Sequence, residues 1–422
     1  MLNIFLLTFF LANNSFSQNT EVYIGIEKNI EEEKIILYNF KSQTTAQINI
    51  NATSDIKEIV RTDLMLSRYF KVIEIEDDKE ISNELPDFFS TLSKFVVTAN
   101  INISENNLQL NGILYETKSR NKIFEKIYSS ELEGLRKIAH MFSDDIVEKT
   151  IKRKGIATSR LVFSNDSTGY KEIYMIDYDG ENLFQLTNHR SISIVPKWSN
   201  DSNRIYYTSY RYGNPDLFII DLIEGKIRAF SKYQGLNIAG GFSPDGSQMV
   251  LTLSRGKDPS IYIANLVSKD IKKLLDNFGV CSSPTFSPDG KEIAFISDRA
   301  GNPQLYIYNL ETKKYRKLTN FNWVDSPNWS VDGMWIVFSG RSTSKENLNI
   351  FIMDPTTSVI KRLTRNEGNN EDPSFSPDSR FIAFTSTRNK KRQIFIMDRD
   401  GSSPRLLSEK IKGNSYTPIW SR

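Results

Sequence analysis

Apolar and polar positions follow a repeating pattern along the last two-thirds of the chain. Each copy has an aromatic anchor followed by Ser and, in the first five copies, by Asp two residues after that Ser. The anchors recur every 43 to 46 residues. This period, with several short strands in each copy, predicts a β-propeller. The six anchors are Trp198, Phe242, Phe286, Trp329, Phe375 and Trp420.

Within each copy, the predicted strands become more polar with distance from the anchor. The second strand is a continuous apolar run, as in Ile293–Ser297, which is typical of a strand buried on both faces. A third strand, as in Gln304–Asn309, ends in a turn-forming Asn or Asp, and the outer strand Tyr315–Thr319 is short and polar. This gradient indicates blades that radiate from a central axis.

The phase of the repeats predicts how the ring closes. A second-type strand, Leu161–Ser164, opens the region without an anchor before it, and the last anchor ends the chain without a strand after it. We therefore expect the C-terminal strand to join the sheet begun by residues 160–187. This removes an exposed sheet edge and closes a ring of six blades over residues 156–422.

Residues 31–153 follow a different rhythm. Strands are predicted at 34–40 and 71–76, and three more follow in series at 95–103, 108–116 and 122–130. Ser54 is a suitable N-cap for a helix through Tyr69, a short helix is expected around 87–94, and a long amphipathic helix spans about 131–152. This mixture predicts an α/β domain built on a mixed sheet.

The first residues indicate an export signal. Ile4–Ala12 is an apolar segment too short to span a membrane, and Ser15 and Ser17 supply the small residues that precede a cleavage site. We expect a signal peptide at residues 1–17, with cleavage before Gln18. No lipobox cysteine is present, so the mature protein is expected to be soluble, and no other segment is long and apolar enough to be transmembrane.

Composition argues against several kinds of chemistry. The net charge of +3 in 422 residues argues against nucleic-acid binding. A single cysteine, Cys281, excludes an internal disulfide, and neither histidine, His140 nor His189, has ligands at metal-binding spacing. No nucleophile elbow or phosphate-binding loop occurs, and no carboxylate pair is singled out for glycosidase chemistry. We therefore predict no catalytic residue, metal or cofactor.

What remains is a surface formed by the loops that lead into the innermost strands. In a propeller these loops meet at one mouth of the central channel. They are rich in Asn, Ser, Gly and Asp, which suits the docking of a protein rather than burial of an apolar ligand. The loops are 188–195, 234–240, 279–283, 322–326, 367–372 and 413–417.

Three further segments resemble the TolB family, the periplasmic components of the Tol–Pal envelope system. Residues 55–70 look like the family's first helix, and residues 135–163 resemble its final helix and the start of its ring. Glu21–Ile26 looks like the family's mature N-terminal segment. The resemblance covers nearly the whole mature chain.

The resemblance implies a non-enzymatic periplasmic adaptor with two partners. The N-terminal segment at 18–30 would contact the inner-membrane protein TolA through Glu21, Val22, Tyr23, Ile24, Gly25 and Ile26. The propeller mouth would receive the peptidoglycan-associated lipoprotein Pal. A monomer is expected, associated with membranes only through its partners, that supports outer-membrane integrity and invagination during division. The implied Pal-contacting positions are Leu236, Asn237, Ala239, Ser282, Ser283, Val324, Asp325, Asn370 and Glu371.

Two other functions remain open from the residues alone. One is a glycan-binding or scaffold propeller of the envelope, which would bind peptidoglycan without Pal. The other is a propeller lyase or hydrolase, which two distant histidines do not favour, because propeller lyases of this appearance depend on several metal-binding histidines.

Overall fold

The computed structural model describes residues 32–42, 47–76, 88–255, 258–275, 279–365 and 367–422. The predicted signal peptide and the predicted TolA-contact segment lie outside the described residues. None of the helices in these ranges is long and apolar enough to cross a membrane.

The N-terminal domain is a five-stranded mixed sheet packed against two helices. Strand order is β2-β1-β3-β4-β5; β1 runs parallel to β2 and β3, and β3, β4 and β5 form an antiparallel meander. The apolar faces of α1 and α3 cover the sheet. The elements are β1 Glu33–Ser42, α1 Gln47–Leu66, β2 Phe70–Ile75, α2 Phe89–Leu92, β3 Phe95–Ser104, β4 Asn107–Glu116, β5 Lys122–Glu131 and α3 Leu135–Ile151.

The first helix differs from its prediction at both ends. It begins at Gln47, so Ser54 lies inside it and is not an N-cap. Ala52 is buried one turn before Ile56, so the apolar face of the helix extends before Ser54, where the capping signal alone would have begun the helix. The helix stops at Leu66, before Tyr69, because Arg68 adopts a left-handed conformation with φ of 59°.

The rest of the chain forms a six-bladed propeller, as predicted. Each blade is a four-stranded antiparallel sheet, and we number the blades by their inner strands β9, β13, β17, β21, β25 and β29. The strands of blades 1 to 3 are β9 Ser193–Trp198, β10 Arg204–Ser209, β11 Asp216–Asp221, β12 Lys226–Ser231, β13 Asn237–Phe242, β14 Gln248–Leu253, β15 Ser260–Asn265, β16 Ile271–Lys273, β17 Cys281–Phe286, β18 Glu292–Ser297, β19 Gln304–Asn309 and β20 Tyr315–Lys317. Those of blades 4 to 6 are β21 Trp323–Trp329, β22 Ile336–Arg341, β23 Asn349–Met353, β24 Ile360–Arg362, β25 Asn370–Phe375, β26 Phe381–Ser386, β27 Gln393–Asp398, β28 Arg405–Leu406, β29 Ser415–Trp420, β6 Arg160–Asn165, β7 Glu172–Asp177 and β8 Phe184–Gln185.

Blade 6 closes the ring as expected. The C-terminal β29 pairs antiparallel with β6, with Trp420 opposite Leu161. The Ser421 hydroxyl accepts a hydrogen bond from the Arg160 amide at 2.9 Å, and the Trp198 indole N–H donates to the carbonyl of Ile419 at 3.1 Å. Strands from the two ends of the propeller region therefore form one sheet, so β6 is paired on both sides, by β29 and by β7.

The repeated motif has the same structure in the five blades that contain its Asp. The aromatic anchor is buried, and the Ser hydroxyl after it donates to the Asp carboxylate two residues on, as from Ser287 to Asp289 at 2.6 Å. The same carboxylate accepts the amide two residues further on, at Lys291. This closed turn sends the chain back into the second strand of the blade.

The N-terminal domain packs on the propeller face opposite the mouth. Arg380, in a turn that leaves an inner strand, donates to the carbonyl of Ser67 at 2.7 Å and lies over the Tyr69 ring at 3.8 Å. Tyr178, in the turn after β7, donates its hydroxyl to Asp63 at 2.9 Å. The described residues of the N-terminal domain therefore contact the propeller at the face away from the loops that lead into the inner strands.

Candidate functional site

The six inner strands line a central channel. It contains a cavity of about 210 Å³, to which all six strands contribute side chains or backbone. The cavity opens between the loops that lead into these strands, so it forms the floor of the propeller mouth. Its lining residues include Val195, Ala239, Ser283, Ser326, Asp372 and Thr417.

A left-handed residue bends five of the six inner strands at the same place. Val195, Ser283, Ser326, Asp372 and Thr417 have φ between 51° and 54°, and each directly precedes a proline. The pairing register shifts at these positions, so each is part of a β-bulge. This conformation is a true outlier for the β-branched Val195 and Thr417. The bulges form the wall of the mouth cavity.

Hydrogen bonds between blades connect these bulges. The Ser283 hydroxyl donates to Asp325 Oδ1 at 3.0 Å, and the Ser326 hydroxyl donates to Asp372 Oδ1 at 2.8 Å. The Ser326 amide also donates to Asp325 at 2.7 Å. A serine of one blade thus holds a carboxylate of the next, which fixes the spacing of three blades around the channel.

Burial shifts the acid–base behaviour of the channel groups. Desolvation, with the charges of Asp325 and Glu371, raises the pKa of Asp372 to about 6. Burial also raises the pKa of Asp325 and lowers the pKa of Lys197, although Asp372 acts against the lowering at Lys197. The floor of the mouth therefore holds two acids and one lysine with weakened tendencies to ionise.

Comparison with known proteins shows which family has this architecture. A sequence model of the TolB beta propeller domain matches residues 147–346 and 305–422, together more than half of the chain. The chain belongs to the TolB family. The family resemblance predicted from the sequence is thereby confirmed.

Individual relatives agree with this membership. "Protein TolB homolog" of Chlorobium luteolum is 40% identical over 103 residues, 24% of each chain, and "Tol-Pal system protein TolB" of Geobacter sulfurreducens is 34% identical over 157 residues, 36% of each chain. The matched segments thus span less than half of these relatives. The crystal structure of TolB from Acinetobacter baumannii has a TM-score of 0.77 at 25% identity, and the match covers 93% of this chain and 97% of that one.

The nine mouth positions inferred from the TolB family fall into two groups. Those that solvent or a partner can reach are half-buried: Leu236, Ser282, Ser283, Asp325 and Glu371. The other four side chains are buried within their blades: Asn237, Ala239, Val324 and Asn370. The side chains of the first group are therefore partly accessible, and those of the second group are not.

Asn237 shows how a buried position shapes the mouth. Its carbonyl oxygen accepts from the Ser231 hydroxyl at 2.6 Å and from the Tyr233 amide at 3.0 Å. Its amide nitrogen donates to the carbonyls of Tyr233, at 2.6 Å, and Gly235, at 2.8 Å. One side chain therefore bonds backbone groups of both Tyr233 and Gly235 in the 232–236 loop.

Glu371 lies at the rim and is paired within the chain. Its carboxylate forms a short ion pair with Arg392, whose guanidinium lies 5.5 Å from the Tyr416 ring centroid. This contact ties the inner strand of blade 5 to the loop before β27. A partner that approaches Glu371 thus meets an arginine and a tyrosine as well.

A polar network that the sequence did not reveal joins the two domains. His140 Nδ1 lies 2.8 Å from Asp63 Oδ2, and Arg136 Nη2 lies 3.2 Å from His140 Nε2 and 2.6 Å from Asp179. Burial acts to lower the pKa of His140, but the contact with Asp63 reverses this and leaves it raised. Asp63, His140 and Asp179 place potential metal-ligand atoms within 4.8 Å of one another, and the Arg136 guanidinium already supplies positive charge there.

Spacing rules could not have found this network. Asp63 and His140 are 77 residues apart, and Asp63 and Tyr178 are 115 apart. The one available signal was a histidine and an arginine four residues apart on the long helix, which places both on one face.

Proposed function

We propose that this TolB-family chain is a non-enzymatic periplasmic adaptor of the Tol–Pal system. It binds Pal at the propeller mouth and TolA through Glu21–Ile26 of the mature N-terminal segment. Its output is outer-membrane integrity and invagination of the envelope during division. Family membership and the uncovered polar mouth carry this proposal.

The mouth has the properties of a protein-docking site. Ser282, Ser283, Asp325 and Glu371 are half-buried polar groups around a cavity of about 210 Å³, and the inter-blade hydrogen bonds hold the surrounding strands in place. A preformed concave site loses little entropy when a partner loop enters it. The N-terminal domain lies on the opposite face and does not compete for this surface.

The TolA contact rests on the residues of the segment itself. Residues 21–26 read Glu-Val-Tyr-Ile-Gly-Ile, in which polar or small and apolar positions partly alternate. An extended segment of this kind can add a strand to the edge of a partner sheet. Deletion of residues 18–30 should abolish binding to a soluble TolA domain while Pal binding is retained.

The deciding experiment is calorimetric titration of residues 18–422 with the soluble domain of the Pal-like lipoprotein from the same organism. We expect saturable one-to-one binding. Ser282→Arg should weaken it at least tenfold, because a bulky cation would occupy the mouth. Ser268→Arg, in an exposed turn of the opposite face, is the matched control and should leave affinity unchanged.

Two outcomes would contradict the proposal. Failure of the folded wild-type protein to bind Pal would remove the adaptor function. Equal loss of affinity in both arginine variants would place the Pal site elsewhere. Binding to isolated peptidoglycan in the absence of Pal would instead favour the glycan-binding scaffold.

A further inference from the structure

Charge is distributed unevenly around the mouth face. In blades 5, 6 and 1, the loops on this side are 166–171, 186–192, 210–215, 232–236, 387–392 and 407–414. These loops contain ten lysines and arginines but only two acidic residues, Asp166 and Glu409. The corresponding loops of blades 2, 3 and 4 contain five basic and five acidic residues. We call the first set of loops the basic arc.

Three of the ten cations are paired within the chain. Arg388 pairs with Glu367 at 2.9 Å, Arg392 with Glu371, and Lys410 with Glu181. Among the described residues, the other seven have no ion-pairing carboxylate: Lys171, Arg190, Arg211, Lys232, Lys390, Lys391 and Lys412. Among the described residues, this half of the rim therefore carries an excess of positive charge.

Exposed apolar side chains accompany these charges. Tyr170, Ile192 and Tyr212 are 47%, 46% and 63% exposed. Cation–π contacts place Arg211 and Lys232 at 4.7 Å and 5.2 Å from the Tyr212 ring centroid. Exposed Tyr beside Arg is the composition of protein-binding hot spots.

Backbone hydrogen bonds make this patch continuous. The Ser193 amide donates to the Lys171 carbonyl at 2.7 Å, which joins the loop before β7 to the inner strand of blade 1. The Tyr210 amide donates to the Ile192 carbonyl at 2.9 Å. Tyr170, Ile192 and Tyr212 thus belong to adjoining loops held in fixed relation.

We propose that the basic arc is the docking surface for an acidic face of the protein that binds at the mouth. This inference rests on the proposed function. It adds that the docking face of the partner is acidic and that the partner covers the half of the rim formed by the basic arc. Carboxylates of the partner would pair with Arg190, Arg211 and Lys390, and arginine can bind a carboxylate through two hydrogen bonds. The concave mouth favours a protein over a membrane, because a flat lipid surface cannot fill the central cavity.

A pair of charge reversals tests the arc with a close control. Lys390→Glu with Lys391→Glu changes two exposed arc residues, neither of them among the nine mouth positions. Lys313→Glu with Lys314→Glu changes two exposed lysines in a turn on the opposite face. The first lysine of each pair has a left-handed φ, 66° at Lys390 and 58° at Lys313. The two variants therefore place glutamate in matching backbone conformations.

The measurement is the association rate constant with the soluble domain of the Pal-like lipoprotein at low and high salt. The arc variant should associate about tenfold more slowly than wild type at low salt, because rim charges act mainly on encounter. The control variant should match wild type. The difference should disappear near about 0.5 M salt, where charges are screened within a few ångströms.

The outcomes separate this inference from the proposed function. If wild type does not bind the lipoprotein, the proposed function fails and the arc inference fails with it. If wild type binds and both variants associate at the same rate, the arc inference fails while the adaptor function stands. Sedimentation with phosphatidylglycerol vesicles, lost only in the arc variant while lipoprotein binding is unchanged, would assign the arc to lipid and overturn the inference.

Discussion

Removal of the Asp63 carboxylate should weaken the contact between the two domains. Asp63 lies on α1 and is 2% exposed. One of its oxygens lies 2.8 Å from His140 Nδ1, and the other accepts the hydroxyl of Tyr178 at 2.9 Å. Tyr178 belongs to the propeller and is 1% exposed. Asp63→Ala would therefore leave two buried polar groups without their acceptor.

The expected cost follows from these two contacts. A buried group that loses its partner costs about 1 to 3 kcal/mol, and disruption of a buried charged pair costs about 3 to 5 kcal/mol. Asp63→Ala should thus lower the free energy of unfolding by about 3 to 5 kcal/mol. Asp145→Ala is the matched control, since Asp145 accepts from Tyr128 at 2.5 Å and Lys126 at 2.6 Å entirely within the N-terminal domain.

A double-mutant cycle shows whether the energy belongs to the domain contact. Urea unfolding should be measured for Asp63→Ala, Tyr178→Phe and the combination of both. The two changes should be non-additive by about 1 to 2 kcal/mol, because they remove the same hydrogen bond. Asp145→Ala combined with Tyr178→Phe should be additive. Additivity in the Asp63 cycle would refute the assignment of this contact.

The cost of Asp63→Ala should also depend on pH through His140. Burial lowers the pKa of His140, but Asp63 outweighs this effect, so the pKa in the folded protein is raised above its ordinary value of 6.5. Asp177, Asp179 and Arg136 also face the imidazole. Stability from the pair is thus fully present below pH 6.5 and declines as the pH rises through the folded pKa. The cost of Asp63→Ala should be larger at about pH 6 than at about pH 9, and equal costs would contradict this linkage.

Three further changes test the channel and the ring. Because the pKa of Asp372 is raised to about 6, its ionisation opposes folding above that pH. Asp372→Asn should therefore increase the free energy of unfolding, measured with urea, by about 1 to 2 kcal/mol over wild type at about pH 8. It should give no increase below about pH 4. In Gly240→Ala the new Cβ would lie 2.4 Å from the Pro284 carbonyl oxygen and 2.7 Å from that of Val250, so the urea midpoint should fall by the equivalent of about 1 to 3 kcal/mol. Deletion of residues 415–422 removes β29 and leaves one edge of β6 unpaired, so gel filtration should show aggregates in place of a monomer. A monomer with an unchanged circular dichroism spectrum would contradict the role of ring closure.

The propeller could be predicted because the repeated residues make the same contacts in successive blades: the anchor is buried in all six, and the Ser-to-Asp hydrogen bond forms in five. The buried anchor and the Ser-to-Asp hydrogen bond recur locally, within a few residues of chain, so a sequence pattern records them. Ring closure followed from the phase of the same pattern. The start of α1 was predicted wrongly for the opposite reason: the capping signal of Ser54 is local, while the burial of Ala52 depends on the tertiary structure.

The site was only partly predictable for a related reason. The order of the strands predicted which loops surround the mouth, but the sequence did not distinguish half-buried Ser282 from Asn237, whose side chain is fully buried and bonded to loop carbonyls. The overall charge of +3 also concealed the basic arc, because acidic residues elsewhere in the chain compensate for it. The basic arc can be recognised only when the strand topology shows which loops lie on the mouth face.

Blade 6 links the mouth to the N-terminal domain by the shortest covalent route. At the mouth end of β7, the Glu172 carboxylate accepts the amides of His189 and Arg190 at 2.7 and 2.8 Å, and both residues lie in the basic arc. At the other end of the strand, five residues and about 17 Å away, Asp177 accepts from Arg136 of α3 at 3.3 Å. Displacement of the arc loop by a partner would therefore act on a strand anchored at both ends by buried carboxylates. Strand β7 pairs with β6, and β6 pairs with β29. Closure of the ring by β29 therefore also supports the connection between the two faces.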